Sequence, residues 1–131
     1  MSERRYSPAD FRIIPNKGES WKDFKNWILS NVDCDLIDPD IVELVKTLNQ
    51  LPHFVTIWSC FGHYGTHTEI DLWCRDAKAV AKLKGAFDDF KENQVHHSLY
   101  GYPLHYSRFF IEGTDEEKRD AINKVIKRLK I

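Results

Sequence analysis

Four segments of the chain carry apolar residues three or four positions apart, the spacing that buries one face of a helix. Each segment follows a residue of a type that commonly caps a helix N-terminus. These caps are Ser20, Asp38, Asp76 and Thr114. The pattern therefore predicts helices over about residues 20–30, 39–50, 77–90 and 115–129.

Four other segments favour strands. Phe54 to Cys60 is rich in β-branched and aromatic residues, which predicts a strand buried on both faces. Thr68 to Cys74 alternates apolar and acidic residues, as a strand with one buried face does. Val95–Tyr100 and Leu104–Ile111, separated by Gly101-Tyr102-Pro103, predict a hairpin with a three-residue loop.

The predicted order α, α, β, β, α, β, β, α indicates the α+β class, with a mainly antiparallel sheet packed with about four helices. A chain of 131 residues has the length of a single domain. We expect that domain to span residues 19–131. Residues 1–18 hold two prolines and a glycine among scattered charges, and we expect them to form an N-terminal tail.

Composition and charge narrow the class of protein. Apolar residues make up 42% of the chain and charged residues 30%, which predicts a folded rather than a disordered chain. The net charge of -1 argues against a strongly basic nucleic-acid binder. The longest nearly apolar run, residues 54–58, is far shorter than the ~20 residues of a membrane span. With three irregularly spaced cysteines and a charged N-terminus, we expect a cytoplasmic protein that does not enter a membrane.

The densest group of reactive side chains lies in the segment that joins the first two predicted strands, residues 59–67. Cys60, His63 and His67 have the spacing C-x2-H-x3-H, and both residue types are common zinc ligands. Alternatively, Cys60 is a catalytic nucleophile whose thiolate is favoured by the nearby His63.

The same segment also fits a loop that binds a ligand through its backbone. Gly62 and Gly65 permit a positive φ and the close approach of backbone N–H groups to a ligand. Ser59 and Thr66 add hydroxyl groups. Against these three hypotheses stands the simpler interpretation that Cys60 is a buried core thiol and that the glycines only make a turn.

Aromatic and basic residues are mixed in the last third of the chain. Arg108 and Tyr106 fall on one face of their strand, where the guanidinium is suited to a carboxylate or phosphate of a substrate. His105 is a further candidate substrate-binding residue, on the opposite face. Aromatic rings beside cations suit base stacking on RNA, but cross-strand packing over a core explains them as well. The basic residues of the last helix complement its dipole or form an RNA-facing stripe.

Two stretches resemble the wybutosine-synthesising tRNA methyltransferase family. The first is Leu36 to Leu44, followed by Leu48-Asn49 and by the strand that runs into Ser59-Cys60-Phe61-Gly62. The second is Leu72 to Ala77, which leads into an alanine-containing helix. His63 stands where the family has arginine. The chain also resembles short prokaryotic proteins of unknown function that carry an S-C-x-G-H loop.

The family resemblance implies a domain that binds S-adenosylmethionine and methylates a tricyclic guanine intermediate on tRNA. Ser59, Cys60 and Gly62 would then shape the cofactor pocket, and His63 would make the polar contact of the family's arginine. The ligand is a small molecule or a nucleotide, tRNA is a possible partner, and no protein partner is indicated. The alternatives are a zinc domain built on Cys60, His63 and His67, and a non-catalytic module that binds a small molecule or a partner.

Overall fold

The computed structural model describes residues 14–31, 37–62, 66–99 and 102–130, except for the side chains of 94–99 and 102–104. Its elements follow the predicted order, so the α+β class is confirmed. They are α1 (Trp21–Ser30), α2 (Val42–Gln50), β1 (Phe54–Cys60), β2 (Thr68–Cys74), α3 (Ala77–Ala86), β3 (Lys91–Leu99), β4 (Tyr102–Ile111) and α4 (Asp115–Leu129). Residues 1–13 of the predicted tail lie outside the described part of the chain.

The helices begin where short-range hydrogen bonds satisfy their first N–H groups. The Ser20 hydroxyl accepts from the backbone of α1, and the Asp76 carboxylate does the same for α3. Thr114 and Glu117 form a complete capping box at the start of α4. At α2 the prediction was early by three residues, because Asp38 caps a preceding turn and Ile41 is the N-cap.

The four strands form one antiparallel sheet in the order β1-β2-β4-β3. The expectation that β1 is buried on both faces was wrong beyond its first three residues. Because β1 is an edge strand with one neighbour, its second half is partly exposed, and Trp58 is 58% exposed. β2 is a central strand, so even Asp71, which the alternation placed outward, is buried.

The hairpin of β3 and β4 is longer and tighter than the sequence indicated. Leu99 pairs with Tyr102, so Tyr102 and Pro103 belong to β4 rather than to the loop. His105 is the Cα partner of His96.

The sheet has a hydrophobic layer on each side. Helices α2, α3 and α4 cover one face and form the larger core, which includes Phe54, Leu72 and Phe109. Helix α1 packs on the opposite face at one end of the sheet, where Phe24 and Ile28 meet Val55, Trp73 and Tyr106. The far end of that second face carries polar residues, among them Asp71 and Arg108.

Candidate functional site

The strand register brings two rows of three residues together on the sheet face that bears α1. Trp58, Asp71 and Arg108 are successive Cα partners across β1, β2 and β4. Cys60, Glu69 and Phe110 form the next row. Residues opposite one another on one face have Cβ atoms about 5 Å apart. We call these six residues the Asp71 face.

An electrostatic network connects the polar members of the Asp71 face. The Tyr106 hydroxyl donates a hydrogen bond to Oδ2 of Asp71. Nε of Arg108 lies 3.4 Å from Oδ1 of Asp71 and 3.4 Å from Oε2 of Glu69. Nε2 of His67 is 3.1 Å from Oε1 of Glu69, and its ring packs edge-on against Phe110. One guanidinium thus holds two carboxylates on the same strand.

Burial sets the protonation of this network. Loss of hydration raises the pKa of Asp71 to about 6, against the opposing hydrogen bond from Tyr106, and nearby Glu69 raises it further. Burial, together with the Asp71 carboxylate, raises the pKa of Tyr106, so its hydroxyl keeps the proton. Hydrogen bonding to Tyr106 and the two carboxylates raise the pKa of Arg108. Asp71 is therefore a carboxyl group whose charge changes near pH 6, well above the usual range for an aspartate.

Two polar atoms at the centre of the network are buried without a good hydrogen bond. Within the described part of the chain, neither Oδ1 of Asp71 nor Nε of Arg108 has a hydrogen-bond partner. Their mutual distance of 3.4 Å is long for such a bond. Buried polar atoms are normally satisfied, so these two atoms are candidate contacts for a ligand.

The segment after β1 is held by a buried lysine. Lys118 of α4 is 0% exposed, and its Nζ donates to three backbone carbonyls, those of Phe61 (3.3 Å), Gly62 (2.5 Å) and Thr66 (2.7 Å). The same Nζ lies 4.9 Å from the centroid of the Phe61 ring. The inward-facing carbonyls fix both ends of the segment on α4, and His63 and Gly65 lie outside the described residues.

Gly62 is required by the close approach of the two ends. Its φ is +70°, and an added Cβ would stand 2.1 Å from the carbonyl oxygen of His67. The glycine was predicted to let a ligand approach the backbone. In the structure the atoms that approach it are those of the chain itself.

The residues predicted to bind a cofactor lie in different parts of the structure. Cys60 is exposed on the Asp71 face, so the interpretation of Cys60 as a buried core thiol was wrong. Ser59 lies on the opposite face, opposite Ile70, and Thr66 is exposed beside the carbonyl cluster around Lys118. Of the predicted cofactor-binding residues, Cys60 thus joins the Asp71 face.

The residues predicted to bind a substrate also lie on different faces of the sheet. Tyr106 and Arg108 share the network around Asp71, as their common face predicted. His105 is opposite Cys74, on the side of the sheet that α2, α3 and α4 cover. It therefore does not converge with Arg108.

The structure gives no support to a metal centre within the described residues, where no three His, Cys, Asp or Glu side chains are grouped to hold an ion. His63, the middle ligand of the proposed zinc set, is not among those residues. His67 instead pairs with Glu69. The zinc set remains a prediction.

Aromatic packing explains two of the rings considered for base stacking. Phe109 stacks on Phe87 with centroids 4.2 Å apart, and Tyr106 meets Trp73 edge-on at 5.2 Å. Several basic residues of α4 pair with acids: Arg119 with Asp40, Arg128 with Asp89 and Lys130 with Glu43. These contacts favour the structural interpretation of both features.

Sequence reasoning missed four residues of the site: Trp58, Glu69, Asp71 and Lys118. The spacing of Glu69 and Asp71 on one strand face was visible in the sequence, but it indicated solvent exposure. The edge position of Trp58 and the burial of Lys118 depend on strand order and helix docking, which no local pattern reports.

Comparisons with known proteins add little. No family model matches the chain, and no curated protein matches it. Among solved structures, the PH1069 protein from Pyrococcus horikoshii is 15% identical and superposes with a TM-score of 0.44, over 84% of this chain and 90% of that one. A likeness at this level assigns no function. Separately, no helix in the described ranges has both the length and the apolar character needed to cross a bilayer.

Proposed function

We propose that this protein binds S-adenosylmethionine on the Asp71 face and takes part in the methylation of a tRNA base. The single observation that carries the proposal is the pair of buried, unsatisfied atoms, Oδ1 of Asp71 and Nε of Arg108, beside the largely exposed indole of Trp58. Polar groups that converge next to an aromatic ring are the usual elements of a small-molecule site.

The resemblance to the wybutosine methyltransferases supports the choice of ligand. The Ser59-Cys60-x-Gly62 motif that carries it ends β1, and its cysteine lies on the Asp71 face, next to Glu69. The cysteine of the motif thus lies one row of the sheet from the unsatisfied atoms of Asp71 and Arg108. Methyl transfer to a base also requires a proton acceptor when the base nitrogen loses its hydrogen. The buried Asp71 carboxylate, with its raised pKa, is suited to that role.

The tRNA substrate rests on the resemblance and on one feature of the surface. Trp58 presents an exposed ring on an edge strand, and base–aromatic stacking contributes about 1–3 kcal/mol per base. Arg108, with its side chain 40% exposed, lies on the same sheet face two strands from Trp58, where it is available to a phosphate or a base edge.

Calorimetric titration with S-adenosylmethionine tests the cofactor. We expect saturable binding to the wild type and at least about tenfold weaker binding to Trp58→Ala, since that change removes the ring beside Asp71. Lys124→Ala, an exposed change on α4, is the control and should bind as the wild type does. Titration with adenosine monophosphate distinguishes a general nucleotide site from the proposed one. Titration with S-adenosylmethionine in the presence of EDTA distinguishes a metal-dependent site.

No heat and no change in melting temperature at millimolar S-adenosylmethionine would overturn the proposal. A ligand at 100 times its Kd adds about 2.7 kcal/mol to the free energy of unfolding, which is readily seen as a melting shift.

A further inference from the structure

The charges of the Asp71 face are unevenly arranged. Glu69 and Asp71 supply two carboxylates, and both face the single guanidinium of Arg108 on the β4 side. On the other side lies β1, whose seven residues include no charged side chain. Lys91 pairs with Phe110 one strand beyond Arg108, and His67 contacts only the outer carboxylate, that of Glu69. The β1 side of the two carboxylates therefore lacks a positive partner among the described residues.

The pairing of Arg108 with these carboxylates is loose. Both contacts of Nε are 3.4 Å long, whereas a charge-assisted N–H···O bond is usually about 2.8 Å. The Arg108 side chain is also 40% exposed. A second positive group can thus approach the carboxylates without breaking a strong ion pair.

Trp58 lies next to the place where a second positive group can approach the carboxylates. It is the Cα partner of Asp71, and the strand register shifts between Thr56 and Trp58. The face of an indole ring attracts cations, and the attraction is stronger where water is excluded. Carboxylates on one side and an indole on the other are the surroundings that organic cations prefer.

We propose that the Asp71 face selects a ligand that carries an organic cation, a sulfonium or an ammonium group, held between Trp58 and the two carboxylates. Glu69, 18% exposed, contacts the positive centre, and Asp71 acts on it from beneath through its field. This inference rests on the proposed function and names the part of the cofactor that the Asp71 face recognises. It also makes Asp71 a specificity residue, because a buried charge is screened little by solvent.

The test is a set of calorimetric titrations with three ligands that differ in charge at one position: S-adenosylmethionine carries a sulfonium there, sinefungin a carbon with an ammonium group, and S-adenosylhomocysteine a neutral sulfur. Methylthioadenosine, which has a neutral sulfur and lacks the amino-acid group, is the fourth ligand and reports binding of the nucleoside part alone. We expect the two cationic ligands to bind at least about tenfold more tightly than S-adenosylhomocysteine. In Asp71→Asn the ratio should fall toward one, with the affinity for S-adenosylhomocysteine unchanged.

The control is Asp120→Asn, which removes an exposed carboxylate on α4 and should leave the ratio as it is. Glu69→Gln, a change near the surface, provides a second reading if Asp71→Asn does not fold. Equal binding of S-adenosylmethionine and S-adenosylhomocysteine by the wild type would overturn the inference and leave the proposed cofactor intact. A ratio unchanged in both variants would also overturn it. Failure of all four ligands to bind would instead overturn the proposed function.

Discussion

Asp71 shows how the position of one residue changes its chemistry. Its place between two strands removes it from water, while the Tyr106 hydroxyl donates to one of its oxygens and Nε of Arg108 lies 3.4 Å from the other. The carboxyl therefore takes up a proton more readily in the folded protein than in the unfolded chain. By linkage, such a group makes the free energy of unfolding depend on pH.

The sign of that dependence follows from the two pKa values. The pKa of Asp71 is about 6 in the folded protein and near the ordinary 3.8 in the unfolded chain. As pH rises from about 4 to 6, the unfolded chain has released this proton while the folded protein still holds it, so a rise in pH favours the unfolded state and lowers the free energy of unfolding. We expect the wild type to lose on the order of 2–3 kcal/mol across this window from this group, and the loss persists above it.

Urea unfolding of the wild type and Asp71→Asn between about pH 4 and 8 measures this contribution. As pH rises, the free energy of unfolding of Asp71→Asn should increase relative to that of the wild type by about the same amount, since asparagine does not ionise. The charged and titratable groups that face Asp71, which are Glu69, Tyr106 and Arg108, are the same in both proteins. A difference between the two proteins that stays constant with pH would contradict the raised pKa.

The contrast between Glu69 and Asp71 also shows what a local pattern leaves out. Both residues alternate with apolar neighbours, and alternation predicted that both face solvent. Glu69 keeps 18% exposure of its side chain, whereas Asp71 keeps 6%. The difference comes from its place at the centre of the sheet beside the Tyr106 side chain, which is information about strand order rather than about β2 itself.

Among the elements, α4 and the segment after β1 depend on each other. Lys118 lies fully buried on α4 and donates to three carbonyls of that segment. Replacing it with methionine removes the donor to the Gly62 and Thr66 carbonyls, while the Phe61 carbonyl keeps its hydrogen bond from the Thr68 hydroxyl. Each such loss costs about 1–3 kcal/mol, partly offset because a buried ammonium group is removed as well.

We therefore expect Lys118→Met to lower the free energy of unfolding by about 2–4 kcal/mol in urea titrations. Lys124→Met, on an exposed position of the same helix, should change it by less than about 0.5 kcal/mol. Equal effects of the two substitutions would show that the carbonyl contacts contribute nothing to stability.

Local signals predicted the elements well where the signal itself was local. The caps at Ser20, Asp76 and Thr114 are hydrogen bonds within a few residues, and all three are present. The third helix was expected to reach about residue 90 but ends at Ala86, since Phe87 and Phe90 are buried through a turn instead. Burial alone does not tell a helix from the turn that follows it.

At the scale of the whole molecule, strand order decides where the site lies. β1 was expected to be buried on both faces, with a ligand-binding loop at its end. It is an edge strand, so Trp58 is exposed and the Asp71 face extends to the margin of the sheet. The segment after β1 turns its carbonyls inward to Lys118, and the neighbouring sheet face offers the unsatisfied polar atoms.

Sequence reasoning predicted Tyr106, Arg108 and Cys60 as site residues, and these do lie on one face of the sheet. It also named Ser59 and His105 as site residues, and both lie on the other face, where alternation along the strand had already placed His105. Alternation places neighbours in sequence on opposite faces, but only the pairing of strands says which residues of different strands meet. That pairing is a property of the folded chain as a whole.

The central claim is that S-adenosylmethionine binds on the Asp71 face, and nuclear magnetic resonance tests it most directly. The chain has four tryptophans, whose indole N–H signals are few enough to follow one by one. Trp58→Phe identifies the signal of Trp58 by its loss. On titration with S-adenosylmethionine, we predict that the Trp58 indole signal and the backbone signals of Cys60, Glu69 and Arg108 shift together with one Kd. Saturable shifts confined to other residues, with the Trp58 signal unmoved, would contradict the account.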